Sequence, residues 1–155
     1  RTVVNLVFAD MFDKIIIPLI QNYYLPFSRA AFFIVYFWFG ILKILDTSPA
    51  NPLVAALQTK TLPFLAFQQF INFFALFEML IGILFLIPKF TRFVYVLFIL
   101  HMGTTIMPLF LLPEYSWQSF LTPTLEGQYM IKNLMLIALA SSILISSHKK
   151  ENLKN

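Results

Sequence analysis

Glu78 and His101 carry the most distinctive chemistry in the chain, because each ionisable side chain sits inside a long apolar run. A carboxylate next to an imidazole is the raw material of a proton relay, or of a site that grips a polar ligand. The plainer reading is a polar clasp between helices, worth roughly 0.6–2 kcal/mol. A second group, Lys43, Asp46, Glu126, Gln128, Lys132 and Asn133, lies near the ends of two other apolar runs. Two lysines among carboxylates and amides could form a basic pocket for an anionic or quinone-like head group. Their plainer reading is snorkelling lysines that reach water and pair with nearby carboxylates. Gln128 and Lys132 are four residues apart, so they share a helix face, which is expected to point inward with Gln68, Gln69 and Asn72 in the same polar layer. Gly40, Gly82 and Gly103 fall in three different runs and are expected helix-packing positions, since small residues let helices approach closely.

Several chemistries lack their residues. The chain has no cysteine, which removes disulfides, thiolate catalysis and cysteine-ligated metal. Its histidines, His101 and His148, are too few for a metal site without further ligands. No glycine-rich phosphate loop or nucleophile elbow is present. No residue is assigned a catalytic role, no metal is assigned, and no cofactor is identifiable. A quinone is the cofactor that a redox reading would require.

The elements that must position these groups are set by composition. The 155 residues are 59% hydrophobic and 12% charged, with 19 phenylalanines. Soluble domains are nearer 45–50% apolar and 25% charged, so much of this surface must face lipid. The net charge of +4 is small and is no nucleic-acid signal. Four apolar runs, about 27–45, 64–87, 90–112 and 128–147, each approach the ~20 residues that cross ~30 Å of hydrocarbon. Segments this long must be helices, whose backbone bonds are satisfied internally. Residues 1–24 place Val4, Phe8, Met11, Phe12, Ile15, Leu19 and Ile20 on one broad side, opposite Asp10, Asp13, Lys14 and Gln21. That pattern predicts an amphipathic interfacial helix, bent at Pro18, and not a cleavable signal peptide. The fold expected is all-α: a single integral membrane domain, a four-helix bundle with an interfacial N-terminal helix.

The connections differ. Asp46 to Pro52 is rich in turn formers, and Asn51-Pro52 suits the cap and first position of a short helix over 52–60. Pro88 and Lys89 make a tight turn, so the second and third spans should be antiparallel neighbours. Glu78 lies nine residues before that turn and His101 eleven after it, both roughly 14–16 Å deep at 1.5 Å per residue. Residues 113–127 form a longer loop whose Tyr115 and Trp117 suit the headgroup level. One side of the membrane collects Arg1, Lys14, Arg29, Lys89, Arg92, Lys149, Lys150 and Lys154; the other collects Lys43, Lys60 and Lys132. The excess makes the first side cytoplasmic, with the N- and C-termini both there.

Blocks along the chain resemble the DoxX superfamily, in particular its RclC-like branch of reactive-chlorine-resistance inner-membrane proteins. The first span reads Phe37-Trp38-Phe39-Gly40-Ile41-Leu42-Lys43, followed by Ser48-Pro49-Ala50 and Pro52-Leu53-Val54. The second carries Phe77-Glu78-Met79-Leu80-Ile81-Gly82, the third His101-Met102-Gly103-Thr104-Thr105 and Pro108-Leu109-Phe110. The fourth opens Leu125-Glu126-Gly127-Gln128-Tyr129 and continues Ile131-Lys132-Asn133-Leu134. The blocks follow the family's order over all four spans. The resemblance implies a four-helix bundle in the bacterial inner membrane, but not one activity: some relatives are linked to quinone-reducing oxidoreductases, others to oxidative-stress defence. Its polar blocks map onto Lys43, Glu78, His101, Glu126, Gln128, Lys132 and Asn133.

Three functions follow as expectations. The first is a non-catalytic subunit or stress-associated component of a membrane complex, held by other membrane subunits or by self-association. The second is a quinone-linked oxidoreductase component, with Lys43, Lys132, Glu126 and Gln128 lining a head-group site and Glu78 and His101 moving protons. The third is a small-solute transporter or channel.

Overall fold

The protein is represented by a computed structural model that describes residues 9–152. Its first feature is a rod longer than one span requires. Helix runs unbroken over Ala9–Ile44, 36 residues or about 54 Å, against ~30 Å of hydrocarbon. Near its start the rod widens into a π-helical turn, Phe12–Ile16, and continues as α1, Ile17–Ile44. The wide turn sits where Pro18 would otherwise drive its ring into the carbonyl four residues back. Pro26 lies inside α1 without ending it. The amphipathic stretch and the first span therefore form one continuous helix, with no break at 24–27. Asp10, Asp13 and Lys14 are exposed at its start, and Lys14 Nζ pairs with Asp10 Oδ1 at 2.8 Å. Val4 and Phe8 lie outside the described residues.

Asp46 stops α1. It adopts a left-handed φ of 54°, which aspartate tolerates better than most residues. The amide of Asp46 then bonds Lys43 O and that of Thr47 bonds Leu42 O, the paired bonds of a Schellman stop. Asp46 Oδ1 also accepts a 2.7 Å bond from Asn51 Nδ2, tying the end of α1 to the start of α2, Asn51–Thr61. The cap position of α2 is Ala50, one residue earlier than the sequence pattern predicts, because the Asn51 side chain is engaged by Asp46. Buried Gln58 closes the next connection by donating to Leu62 O and Leu65 O at 2.7 and 2.8 Å. It satisfies loop carbonyls that lack a helical partner.

α3, Phe67–Leu86, is followed by a single 3₁₀ turn, Pro88–Phe90, and α4, Thr91–Ile106. Pro108 interrupts the third span, which resumes as the short α5, Pro108–Leu111. The stretch expected to be plain loop contains a helical turn, α6 (Pro113–Ser116), and a two-stranded antiparallel hairpin, β1 (Trp117–Ser119) with β2 (Thr122–Pro123). Trp117 Nε1 donates to Leu109 O at 2.9 Å and fully buried Ser116 Oγ to Pro108 O at 2.8 Å, docking this cap on the span below. Thr124 Oγ1 accepts from the Gly127 amide at 3.0 Å and caps α7, Leu125–Asn152. Gly127 is required there, because a Cβ would collide with the Ser116 carbonyl.

The four long helices are apolar enough to cross a membrane, and the chain is a multi-pass membrane protein. They pack as two pairs, α1 with α3 and α4 with α7, around Phe32, Tyr36, Ile81, Phe85, Val94, Phe98, Met102, Ala140 and Ile143. The tight turn does make α3 and α4 neighbours, but the closest pairing is α1 with α3. Phe32 stacks on Phe85 with centroids 4.2 Å apart, and Phe98 meets both edge-on. Trp38, Phe73, Leu100, Phe110 and Met135 face outward, as lipid contact allows.

Candidate functional site: a buried Lys43–Glu78–His101 cluster

The buried residues of α1 are Ser28, Arg29, Phe32, Tyr36, Gly40 and Lys43, spaced by three and four from Arg29 onward. Those of α3, including Ile71, Ala75, Glu78, Gly82 and Phe85, follow the same rule. Facing stripes of this period are what two closely aligned helices share. Gly40 and Gly82 set the approach. A Cβ at Gly40 would lie 2.7 Å from Ala75 O, and one at Gly82 would lie 3.1 Å from Phe37 N. The same face that carries Gly40 therefore delivers Lys43, one turn on, to Glu78.

Glu78 is the hub. Its Oε2 accepts from Lys43 Nζ at 2.6 Å, and its Oε1 stands 3.1 Å from His101 Nε2. Lys43, Glu78 and His101 are 6%, 6% and 3% exposed, so the cluster is dry on every side the chain provides. Three aromatic rings wall it. Phe74 stacks on His101 at 5.0 Å and lies 5.8 Å from Lys43 Nζ. Tyr36 meets the imidazole edge-on at 5.4 Å, and Phe77 stands 6.1 Å away. With a carboxylate as acceptor, Nε2 carries the imidazole proton toward Glu78. That leaves His101 Nδ1 buried without a partner, and the neighbouring Tyr36 Oη is unpartnered too.

Chemically, the cluster holds one ammonium, one carboxylate and an imidazole within direct hydrogen-bond reach. Charge cancels inside it, and the bonds lock α1, α3 and α4 to one another. The same contacts form a chain of proton-bearing groups from Lys43 through Glu78 to His101, with Nδ1 unpartnered at its end and the unpartnered Tyr36 hydroxyl outside it. The arrangement can thus act as a clasp or hold a proton in transit.

The residues expected to form one polar layer with Lys43 part company. Lys43 reaches inward to Glu78 and does not snorkel outward, because its counter-charge lies within the bundle. Asp46 is taken up by the helix stop described above. Glu126, Gln128 and Lys132 are exposed on α7, so the face of Gln128 and Lys132 points away from the bundle and not into it. Gly127 and Met130 are the buried residues of that stretch, and they set its rotation. Lys132 Nζ sits 5.1 Å over the Tyr129 ring. Gln68, Gln69 and Asn72 are likewise exposed on α3, with Gln68 Nε2 donating to Asn72 Oδ1 at 3.1 Å. Asn133 is half-buried and donates to Thr105 Oγ1 at 3.3 Å, joining α7 to α4. Gly103 differs from the other two span glycines: it is exposed, and a Cβ there would have nothing within 4 Å.

Two buried polar residues escape a reading based on charge depth alone. Arg29, counted above only for topology, is 6% exposed at the far end of the bundle. Tyr36 joins the cluster. The signal for both was the 29, 32, 36, 40, 43 spacing, which puts them on one face with Gly40 and Lys43. No protein-family model, curated protein or solved structure matches this chain.

Proposed function

We propose that this chain is a non-catalytic, DoxX-like subunit of a larger membrane assembly, of the kind associated with redox stress. The observation that carries the reading is the surface the single chain leaves uncovered along its spans and at their ends. Gly103 stands twelve residues into α4, about 18 Å along it, with open space where a side chain would be. Gln68, Gln69, Asn72, Gln128 and Lys132 face outward on α3 and α7. In hydrocarbon a surface glycine admits a neighbouring backbone, and near the span ends the exposed Gln69 and Gln128 offer amides to a partner. A partner subunit or a second copy of the chain supplies both. Inside, the Lys43–Glu78–His101 cluster satisfies its own charge, which favours a clasp over a reactive centre. Three of the DoxX-like blocks, one in each of three spans, meet in that cluster. The excess of basic residues on the Arg29 side favours both termini on the cytoplasmic side, and the DoxX resemblance implies a bacterial inner membrane.

The test is native mass spectrometry of the protein extracted from its own membrane in mild detergent, with Gly103→Leu as the variant. The expected result is a stoichiometric complex that Gly103→Leu dissociates while the chain's own unfolding midpoint is unchanged. A monomer in both cases overturns the reading.

A second reading is a component of quinone-linked electron transfer, and the two unpartnered polar atoms at the cluster, Tyr36 Oη and His101 Nδ1, favour it. Tyr36 Oη and His101 Nδ1 would hold a proton that quinone chemistry takes up or releases. If membranes carrying Glu78→Gln together with His101→Gln keep the wild-type rate of quinone reduction, this second reading fails.

A further inference from the structure

The cap at the Lys43 end of the bundle closes on a two-residue turn, Phe120 and Leu121, between β1 and β2. Tight hairpin turns favour glycine, asparagine or aspartate, yet this one carries two large apolar residues. Leu121 sits at a left-handed φ of 56°, where its Cβ crowds the backbone. The chain covers neither side chain. Phe120 is 91% exposed, the most of any large apolar residue described, and Leu121 is 75% exposed. From Tyr115 to Leu125 no residue is charged, and the exposed Glu114 and Glu126 bracket the stretch. Thr122 Oγ1 donates to Phe120 O at 3.4 Å, which gives the tip carbonyl a partner within the chain.

Two observations bear on what covers this tip. The first is its level. Trp117 Nε1 donates to Leu109 O and Ser116 Oγ to Pro108 O, and both acceptors belong to the last turn of the third span, Pro88–Leu111. On the other side β2 ends at Pro123, and the fourth span begins at Leu125. Phe120 is three residues from Trp117, a reach of about 10 Å at most. Head groups occupy about 5–8 Å beyond the hydrocarbon on each side. Even a hairpin aimed straight outward therefore keeps its tip at the head-group layer. The second observation is continuity. Phe110 on α5 and Leu125 at the start of α7 are also exposed, so apolar surface runs from the lipid-facing spans out to the tip.

We propose that Phe120 and Leu121 insert between the head groups and acyl chains of the leaflet at the Lys43 end, so that the hairpin anchors the cap to lipid. Tyr115 and Trp117 stand behind the tip at the level aromatic residues favour in a bilayer. Carboxylates are the nearest charges along the chain, so the tip engages the apolar part of the lipid and not an anionic head group. This inference does not rest on the subunit reading.

The experiment uses the full chain in dioleoylphosphatidylcholine nanodiscs, which leave both faces open to solutes. The absence of native cysteine lets Ser119→Cys carry an environment-sensitive NBD dye beside an unaltered tip. Two quenchers are offered separately: aqueous cobalt ions, and phosphatidylcholine spin-labelled near the head of its acyl chain. With one copy per disc, the spin-labelled lipid is expected to quench the dye and cobalt is not. Adding Phe120→Ser with Leu121→Asn should reverse both results and shift the emission to longer wavelength. Asparagine tolerates the left-handed φ, so the altered turn still suits the hairpin. Cobalt quenching without lipid quenching beside the unaltered tip overturns the proposal, and so does protection from both quenchers. Cobalt quenching that disappears in discs holding two copies assigns the tip to a second copy of the chain and overturns it too. Lipid quenching that persists in the altered tip also overturns it, because the scaffold and not the two side chains would then set the depth. Should the double variant fail to fold, Phe120→Ser alone decides by the same criteria.

Discussion

Glu78 joins two helices through its two oxygens, and the energetics of that arrangement are asymmetric. Removing one partner of a buried ion pair leaves a desolvated charge, which costs about 3–5 kcal/mol, whereas removing both is often neutral. Glu78→Gln is therefore expected to destabilise the folded chain by about 3–5 kcal/mol, measured by denaturant unfolding in detergent. Lys43→Met combined with Glu78→Leu should recover most of that loss. A double variant as unstable as the single one would mean that Lys43 is not the charge being neutralised. Tyr36 gives a finer probe. Its hydroxyl is buried without a partner, and an unsatisfied buried group costs about 1–3 kcal/mol. Tyr36→Phe should thus stabilise the chain by about 1 kcal/mol in the same assay. Destabilisation would reveal a bound molecule on that hydroxyl and strengthen the proton-handling reading.

At the level of helices, three span glycines of similar appearance do different work. Gly40 and Gly82 lie where α1 and α3 touch, and a side chain at either meets backbone. Gly40→Ala is expected to cost about 1–3 kcal/mol through overpacking, and to weaken the Lys43–Glu78 contact as α1 shifts. Gly103→Leu, facing open space, should change the chain's own stability by no more than about 0.5 kcal/mol, while disrupting assembly. Unfolding midpoints of the two variants side by side check the contrast. Equal losses would mean that α4 packs internally through Gly103. The cap formed by α6 and the hairpin depends on Gly127, where any side chain meets the Ser116 carbonyl. Gly127→Val should unseat that cap and expose the start of α7 to proteolysis.

For the molecule as a whole, an even number of spans places Asp13 and Lys149 on one side and Thr59 on the other. The absence of native cysteine makes this directly measurable. Single cysteines at Asp13 and Lys149 should react with an impermeant maleimide only from the cytoplasmic side of oriented vesicles, and one at Thr59 only from the opposite side. Labelling of all three from one side would contradict the four-span topology. Labelling with the sides exchanged would reverse the orientation drawn from the basic residues.

The sequence by itself determined that this is a membrane protein of four helical spans, because hydrocarbon leaves an apolar run of about twenty residues few other structures. It also located Glu78 and His101 at matching depth, since a fixed rise per residue converts position into depth. Rotation was another matter. Which face of each helix turns inward depends on how neighbouring helices pack, and lipid is as apolar as the core, so hydropathy cannot tell the two faces apart. Only the tertiary structure sent Lys43 inward to Glu78, turned Gln128 and Lys132 outward on the same helix as buried Met130, and separated the packed Gly40 and Gly82 from the open Gly103. It alone also revealed that Arg29 is buried and donates to hydroxyls of Thr91 and Ser147, on two helices distant in the chain.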